Sequence, residues 1–169
     1  MKKNQPPLKI VPIEDIPKAG DVPTENLIDV FRICTQMEKI CTDNDGIGLS
    51  AVQVGIPWKL FIVLHDEKKK GYYYKYLLNC EYAGHGDKGK SIEGCLSLRN
   101  SEGNLRRFEV SRFPNVIVTG KELAITDKGL ELKDLKIALD GLYSIVYQHE
   151  IDHQNGILIS DIGVEVELY

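Results

Sequence analysis

His149, Glu150 and His153 stand in the order His-Glu-x-x-His. On a helix, side chains four apart share a face, so both imidazoles can reach one metal ion. The intervening carboxylate is then close enough to exchange a proton with water at that ion. This is the arrangement of metal-assisted hydrolysis. A catalytic site of this kind takes three protein ligands and keeps one position open, so the third ligand sets the class. In metzincin proteases it is a histidine six residues past the second, with a glycine midway. Here Gly156 fits, but Ile159 occupies the histidine position. Only 16 residues follow His153, too few for a separate helix bearing a downstream glutamate. The third ligand is therefore expected upstream, from Cys95, His65 or His85. Cys95 lies in Glu93-Gly94-Cys95-Leu96-Ser97; taken alone, such a cysteine is more often a small buried hydrophobe than a ligand. Glu93 and Asp152 are candidates to orient ligand imidazoles from behind or, equally, to make surface or structural salt bridges.

The elements that must hold these residues can be read from periodicity. Asp140 is placed to cap a helix carrying Leu142, Ile145, Val146, His149 and His153 on one face, stopped by Asn155-Gly156. An earlier helix is expected over 25–42, capped by Thr24, with Leu27, Phe31, Cys34, Met37 and Cys41 as its buried face. Aromatic and β-branched residues at 58–64 and 72–78, split by a polar turn at 65–71, predict a β-hairpin. Further strands are expected at 116–120 and through the alternation of Leu130, Leu132, Leu135, Ile137 and Leu139. The polar stretch 99–109 reads as an extended loop. Without repeats, low-complexity tracts or linkers, the chain reads as one catalytic domain, residues 1–169. Its class is α+β, with antiparallel or mixed sheets packed around a central helix carrying the His-Glu-x-x-His run.

Composition narrows the setting. The 169 residues carry a net charge of −4, 43% hydrophobic and 27% charged side chains, as a globular domain does. No apolar run approaches the ~20 residues that span a bilayer, so no membrane role is expected. The start, Met1 to Pro7, has prolines where a signal peptide carries its apolar stretch, which points to the cytoplasm. Mild acidity argues against direct nucleic-acid binding, and the basic run Lys68-Lys69-Lys70 reads as a solvated turn. Cys34 and Cys41, seven apart on a helix, would be ~10 Å apart, beyond the ~7 Å limit for a disulfide. Gly46-x-Gly48-x-x-Ala51, with Asp66 downstream, also matches a loose dinucleotide fingerprint. That motif must come after a strand and open a helix, whereas here a helix precedes it and Gly55-x-Pro57 breaks the chain just past it.

Three segments in order carry a family resemblance: Gly46-Ile47-Gly48-Leu49-Ser50-Ala51-Val52-Gln53, then Glu93-Gly94-Cys95-Leu96-Ser97, then Gln148-His149-Glu150-Ile151-Asp152-His153. From about residue 24 to 160 the chain resembles the peptide deformylases. The resemblance implies hydrolysis of the N-formyl group of N-formylmethionyl peptides and nascent chains at the ribosome, releasing formate. It makes Cys95, His149 and His153 the metal ligands and Glu150 the group that carries the proton from water to the departing amine. The Gln53 amide and the Leu96 backbone N–H become donors to the developing oxyanion. Ile47 and Gly48, with Leu142, Ile145 and Val146, would bind substrate and line a methionine pocket. One divalent ion is implied, Fe2+ in the cell, with Zn2+, Ni2+ or Co2+ working in preparations. The chain departs from the family at Ser50, usually alanine, and at Gln154, usually leucine. Stretch 99–109 is longer than expected and obscures whether Arg106 or Arg107 matches the family's substrate-side arginine. The tail from Asp161 to Tyr169 is acidic rather than a basic helix, which argues against ribosome docking through it. In this it resembles phage-encoded members acting in bacterial cytoplasm.

Overall fold

The computed structural model describes residues 7–67 and 71–167. The Lys68-Lys69-Lys70 turn and nearly all of the signal-peptide reading of Met1 to Pro7 lie outside the described residues.

Helix α1 runs Leu27–Asp43 and is capped by Asn26, whose side-chain oxygen accepts the Asp29 N–H at 3.3 Å. Thr24, the cap expected from sequence, lies too far upstream to reach those N–H groups. The helix buries Val30, Ile33, Cys34, Met37 and Cys41, while Leu27 and Phe31 flank this stripe half-buried. Cys34 and Cys41 are unbridged core residues, as their spacing required.

After α1 come β1 (Gly48–Ser50), a 3₁₀ turn (Ala51–Val54), β2 (Leu60–Glu67), β3 (Gly71–His85), β4 (Gly89–Arg99) and β5 (Leu105–Arg112). The order continues with β6 (Asn115–Thr126), β7 (Gly129–Asp140), α2 (Gly141–Gln154), the single-turn α3 (Ile159–Ile162) and β8 (Gly163–Val166). Two antiparallel sheets result, one in the order β1-β2-β3-β6-β7 and the other β4-β5-β8. The expected hairpin forms with a shorter turn, pairing 60–67 with 71–78, so that 65–67 are strand rather than turn. The strands expected at 116–120 and 130–139 are longer and pair with each other as 115–126 and 129–140. The stretch 99–109 does not form an extended loop: β4 continues to Arg99, β5 begins at Leu105, and only 100–104 turn. Its charged residues obscured a strand that buries Phe108, Val110 and Arg112 at period two.

Both edge strands of the larger sheet, β1 and β7, contact α2. Helix α2 is buried nearly all round, as a central helix must be. Val146, Tyr147 and Ile151 pack against Phe61, Val63, Leu77, Val116 and Val118 of the larger sheet. The Gln148 amide pairs with the backbone of Phe113 in both senses, accepting its N–H at 3.0 Å and donating to its carbonyl at 2.9 Å. Asp140 stands at the N-cap position without a side-chain bond, and the helix stops at Asn155, before Gly156 at φ 74°. That left-handed backbone favours glycine. No described helix is long and apolar enough to cross a membrane.

Candidate metal centre

Helix α2 carries His149 and His153 on one face, and β4 brings Cys95 to them from the smaller sheet. His153 Nε2 lies 3.3 Å from Cys95 Sγ and 3.2 Å from His149 Nε2, and the three ligand atoms all fall within 4.8 Å of one another. Tetrahedral coordination by two imidazoles and a thiolate would set these atoms roughly 3.3–3.6 Å apart, so the cluster fits a single metal ion. The other upstream candidates do not reach it. His65 bonds the Tyr147 hydroxyl at 2.9 Å, and His85 is exposed at the end of β3.

Cys95 owes its position to an interruption in pairing. Gly94 pairs with Arg107 and Arg99 with Leu105, so residues 95–98 of β4 lie opposite Arg106 alone and leave the ladder. The interruption covers Leu96 as well as Cys95, whose Sγ meets His153 of α2.

Electrostatics in the cluster favour a cation. Burial opposes charge on His149, but hydrogen bonds to Cys95 and Glu93 and the nearby Glu150 carboxyl outweigh it, holding its pKa up at about 10. A positive charge is therefore stabilised where an ion would sit. His153, by contrast, is pushed well below the usual histidine value by burial and by the charges of His149 and Arg112. It is held neutral, the form that binds a metal.

Behind His149 lies a buried ion cluster. Glu93 Oε2 is 2.9 Å from His149 Nδ1 and both Glu93 oxygens receive Arg112, at 2.8 and 3.0 Å. Arg112, only 4% exposed, also donates to Asp152. Burial raises the Glu93 pKa, but the bonds from His149 and Arg112 prevail and bring it down to about 2. The expectation for Glu93 as an orienting group agrees with this contact. Asp152 takes instead the other expected role, a structural salt bridge, its carboxylate meeting Arg112 rather than an imidazole. Sequence reasoning misses Arg112. Its signal is its phase, two residues past Val110 on the buried face of β5, where an arginine requires buried acids.

Glu150 is 3% exposed, and burial is the chief cause that pushes its pKa up to about 7. One carboxylate oxygen, Oε2, has no protein hydrogen-bond partner. The carboxyl lies against Gly48, where an added Cβ would come 2.5 Å from Oε1, so only glycine fits there. Gln53 is oriented from behind. The Ser50 N–H donates to its Oε1 at 2.9 Å, which turns its NH₂ group toward Cys95 Sγ and Ser97 Oγ, at 3.3 and 3.1 Å. An amide pinned this way presents donors toward the cluster.

A cavity of about 380 Å³ opens beside these groups. Ile47, Gly48, Leu142, Ile145 and Val146 line its apolar side, and Gln53, Leu96, His149 and Glu150 its inner end. Thus all the expected site residues except the deeper Cys95 and His153 share its wall. Arg107 also lines it, whereas Arg106 turns away to pair with Glu165 at 2.7 Å.

Comparisons with known proteins agree with this geometry. Residues 16–167 match the polypeptide deformylase family model. A peptide deformylase of Thermodesulfovibrio yellowstonii is 32% identical over 156 residues, 91% of this chain and 86% of that protein. The crystal structure of a probable peptide deformylase from Synechococcus phage S-SSM7 superposes with a TM-score of 0.77 at 32% identity, covering 92% of this chain and 99% of that one. One from Synechococcus elongatus in complex with actinonin gives 0.74 at 28% identity, covering 96% and 82%. The chain belongs to the polypeptide deformylase family, hydrolases that remove the N-formyl group from peptides.

Proposed function

We propose that Cys95, His149 and His153 hold one divalent metal ion, and that Glu150, Gln53 and the Leu96 N–H carry the deformylation of N-formylmethionyl peptides. The observation that supports this most is the meeting of Cys95 Sγ, His153 Nε2 and His149 Nε2 at ligand spacing beside a buried glutamate. When bound, the ion supplies a Lewis acid that polarises the carbonyl and acidifies water.

The remaining work falls to the chain. Glu150 takes a proton from the attacking water at its carboxylate and delivers it to the leaving amine nitrogen, so that formate and a free N-terminus result. Its buried position removes competing solvent from that exchange. The Gln53 NH₂ and the Leu96 N–H donate to the oxygen of the formyl carbonyl as charge builds on it. Glu93 accepts from His149 Nδ1, which leaves Nε2 facing the cluster, and Arg112 fixes that carboxylate. Ile47, Leu142, Ile145 and Val146 offer an apolar wall of the size of a methionine side chain, and Gly48 lets the substrate backbone approach. Two free sheet edges, β1 and β4, border the cleft. An extended peptide laid between them would find backbone partners on either side. Arg107, rather than Arg106, is the substrate-side arginine in this reading.

One thiolate with two imidazoles suits several metals; we assign Fe2+ in the cell and Zn2+, Ni2+ or Co2+ in preparations. The setting proposed is bacterial cytoplasm, acting on nascent chains as one domain spanning residues 1–169. In the tail, Glu165 pairs with Arg106 and Asp161 accepts the Leu158 N–H, which supports the reading that ribosome docking does not run through it.

The test is formate release from formyl-Met-Ala-Ser by metal-loaded protein. Glu150→Ala is expected to keep its metal and lose on the order of 10²–10⁴ in turnover. Loaded wild-type protein that releases no formate, or an undiminished Glu150→Ala, would overturn the assignment.

A further inference from the structure

Among the described residues, four buried side-chain polar atoms have no hydrogen-bond partner: Glu150 Oε2, His153 Nδ1, and both Nε2 and Oε1 of Gln154. Glu150 belongs to the catalytic cleft. The other three atoms sit on consecutive residues at the C-terminal end of α2, and both residues line a second cavity of about 590 Å³. Its far wall is the entry segment, with Ile13, Ile16 and Ala19, and Lys59 lies at its side. No residue is common to the walls of this cavity and of the catalytic one, and His153 lines only the second.

The chemistry of His153 requires an acceptor there. Its Nε2 faces Cys95 Sγ and His149 Nε2, so the proton of the neutral ring sits on Nδ1. A buried N–H with no acceptor costs about 1–3 kcal/mol, and native proteins satisfy such groups with ordered water where the site is polar and roomy. The Gln154 carboxamide, 4% exposed, is in the same position with both its atoms. One water fills about 10–15 Å³ of such a cavity, far less than the volume available here.

We propose that Gln154 is a positioning residue for His153, acting through a water in this second cavity. The water accepts the Nδ1–H of His153 and donates to Oε1 of Gln154, while the Gln154 NH₂ donates to further water in the cavity. The inference rests on reading His153 as a metal ligand. It makes the two histidines unlike in support. His149 is held directly by a carboxylate anchored on Arg112, and His153 by a neutral amide through solvent.

The experiment uses the full chain, ¹⁵N-labelled and loaded with Zn2+, and reads the His153 ring nitrogens by long-range ¹H–¹⁵N NMR and metal release to a chelator. In Gln154→Leu the His153 Nδ1 resonance is expected to move and metal release to quicken about tenfold, the effect typical of losing a group behind a ligand. Gln154→Glu, which keeps an acceptor oxygen at similar reach, is expected to return both toward wild type. Gln154→Met, which keeps the length of the side chain, serves if the leucine variant does not fold. Unchanged Nδ1 resonance and release in the leucine or methionine variant would overturn the water link alone. A wild-type His153 Nε2 resonance that ignores Zn2+ would overturn the ligand reading, and this inference with it.

Discussion

At the scale of single residues, the site depends on close approaches that leave no room for substitution. Gly48 is the clearest case, because a Cβ there would meet Glu150 at 2.5 Å from Oε1 and 3.0 Å from Cδ. The carboxyl is only 3% exposed, so Gly48→Ala would displace it from its place by a large fraction of an ångström or more. Misplacement on that scale costs on the order of 10²-fold in rate. We expect Gly48→Ala to bind metal as wild type does, because neither histidine nor Cys95 is touched, and to lose about that much in kcat/KM. Steady-state deformylation alongside metal analysis checks it; a rate close to wild type would show that Glu150 has freedom the packing denies. The same scale explains which site residues are legible in the sequence. His149, Glu150 and His153 announce themselves by spacing along one helix. Arg112 does not, since its partners Glu93 and Asp152 are 19 and 40 residues away in the chain.

At the scale of elements, α2 must be locked to both sheets for its two histidines to face β4. One lock joins the end of β2 to the first turns of α2. The His65 ring stacks on Tyr143 with centroids 4.4 Å apart and bonds the Tyr147 hydroxyl, while the Asp66 N–H donates to the Tyr143 hydroxyl at 2.9 Å. Burial is the chief cause that lowers the His65 pKa to about 4; the Lys75 charge adds to it and Glu67 opposes it. The phenol rings of Tyr73, Tyr143 and Tyr147 surround the imidazole, and burial raises the pKa of Tyr73 and Tyr147. An unfolded chain protonates His65 near pH 6.5, so between about 6.5 and 4 the unfolded state binds the extra proton. The lock's contribution is therefore complete above about pH 6.5 and declines as the pH falls toward 4. Chemical-denaturation midpoints at pH 7 and pH 5 should drop more in wild type than in His65→Gln, which can still hydrogen-bond but does not titrate. Equal drops would contradict the assignment. By residue type His65 is a ligand candidate; its neighbours from α2, invisible in the local sequence, give it this different part.

At the scale of the whole molecule, the cluster joins two sheets that share no strand. Cys95 comes from the β4-β5-β8 sheet, and the histidines come from a helix packed chiefly on the five-stranded one. An ion bound there ties the two layers together, so its affinity for the folded state adds directly to stability. At a free-metal level 100 times Kd the gain is about 2.7 kcal/mol. We expect chelator treatment to lower the unfolding midpoint, reloading with Zn2+ to restore it, and Cys95→Ser to lose most of that difference. A midpoint indifferent to metal would mean that the cluster does not bridge the layers.

Sequence alone determined what is local: the helix bearing the two histidines, the hairpin around 65–71, strands near 116–120 and 130–139, the unbridged Cys34 and Cys41, and three motifs whose order resembles one family. Those features repeat at short spacing, and short spacing is what helix and strand geometry constrain. Only the tertiary structure decided the rest. It brought Cys95, and not His65 or His85, to the two histidines, put Arg107 rather than Arg106 in the cleft, paired Asp152 with Arg112, and turned the expected loop at 99–109 into strands. Each of these depends on which distant segments pack together, and burial then decides which charges are paired and which polar atoms, such as those of Gln154, must find water.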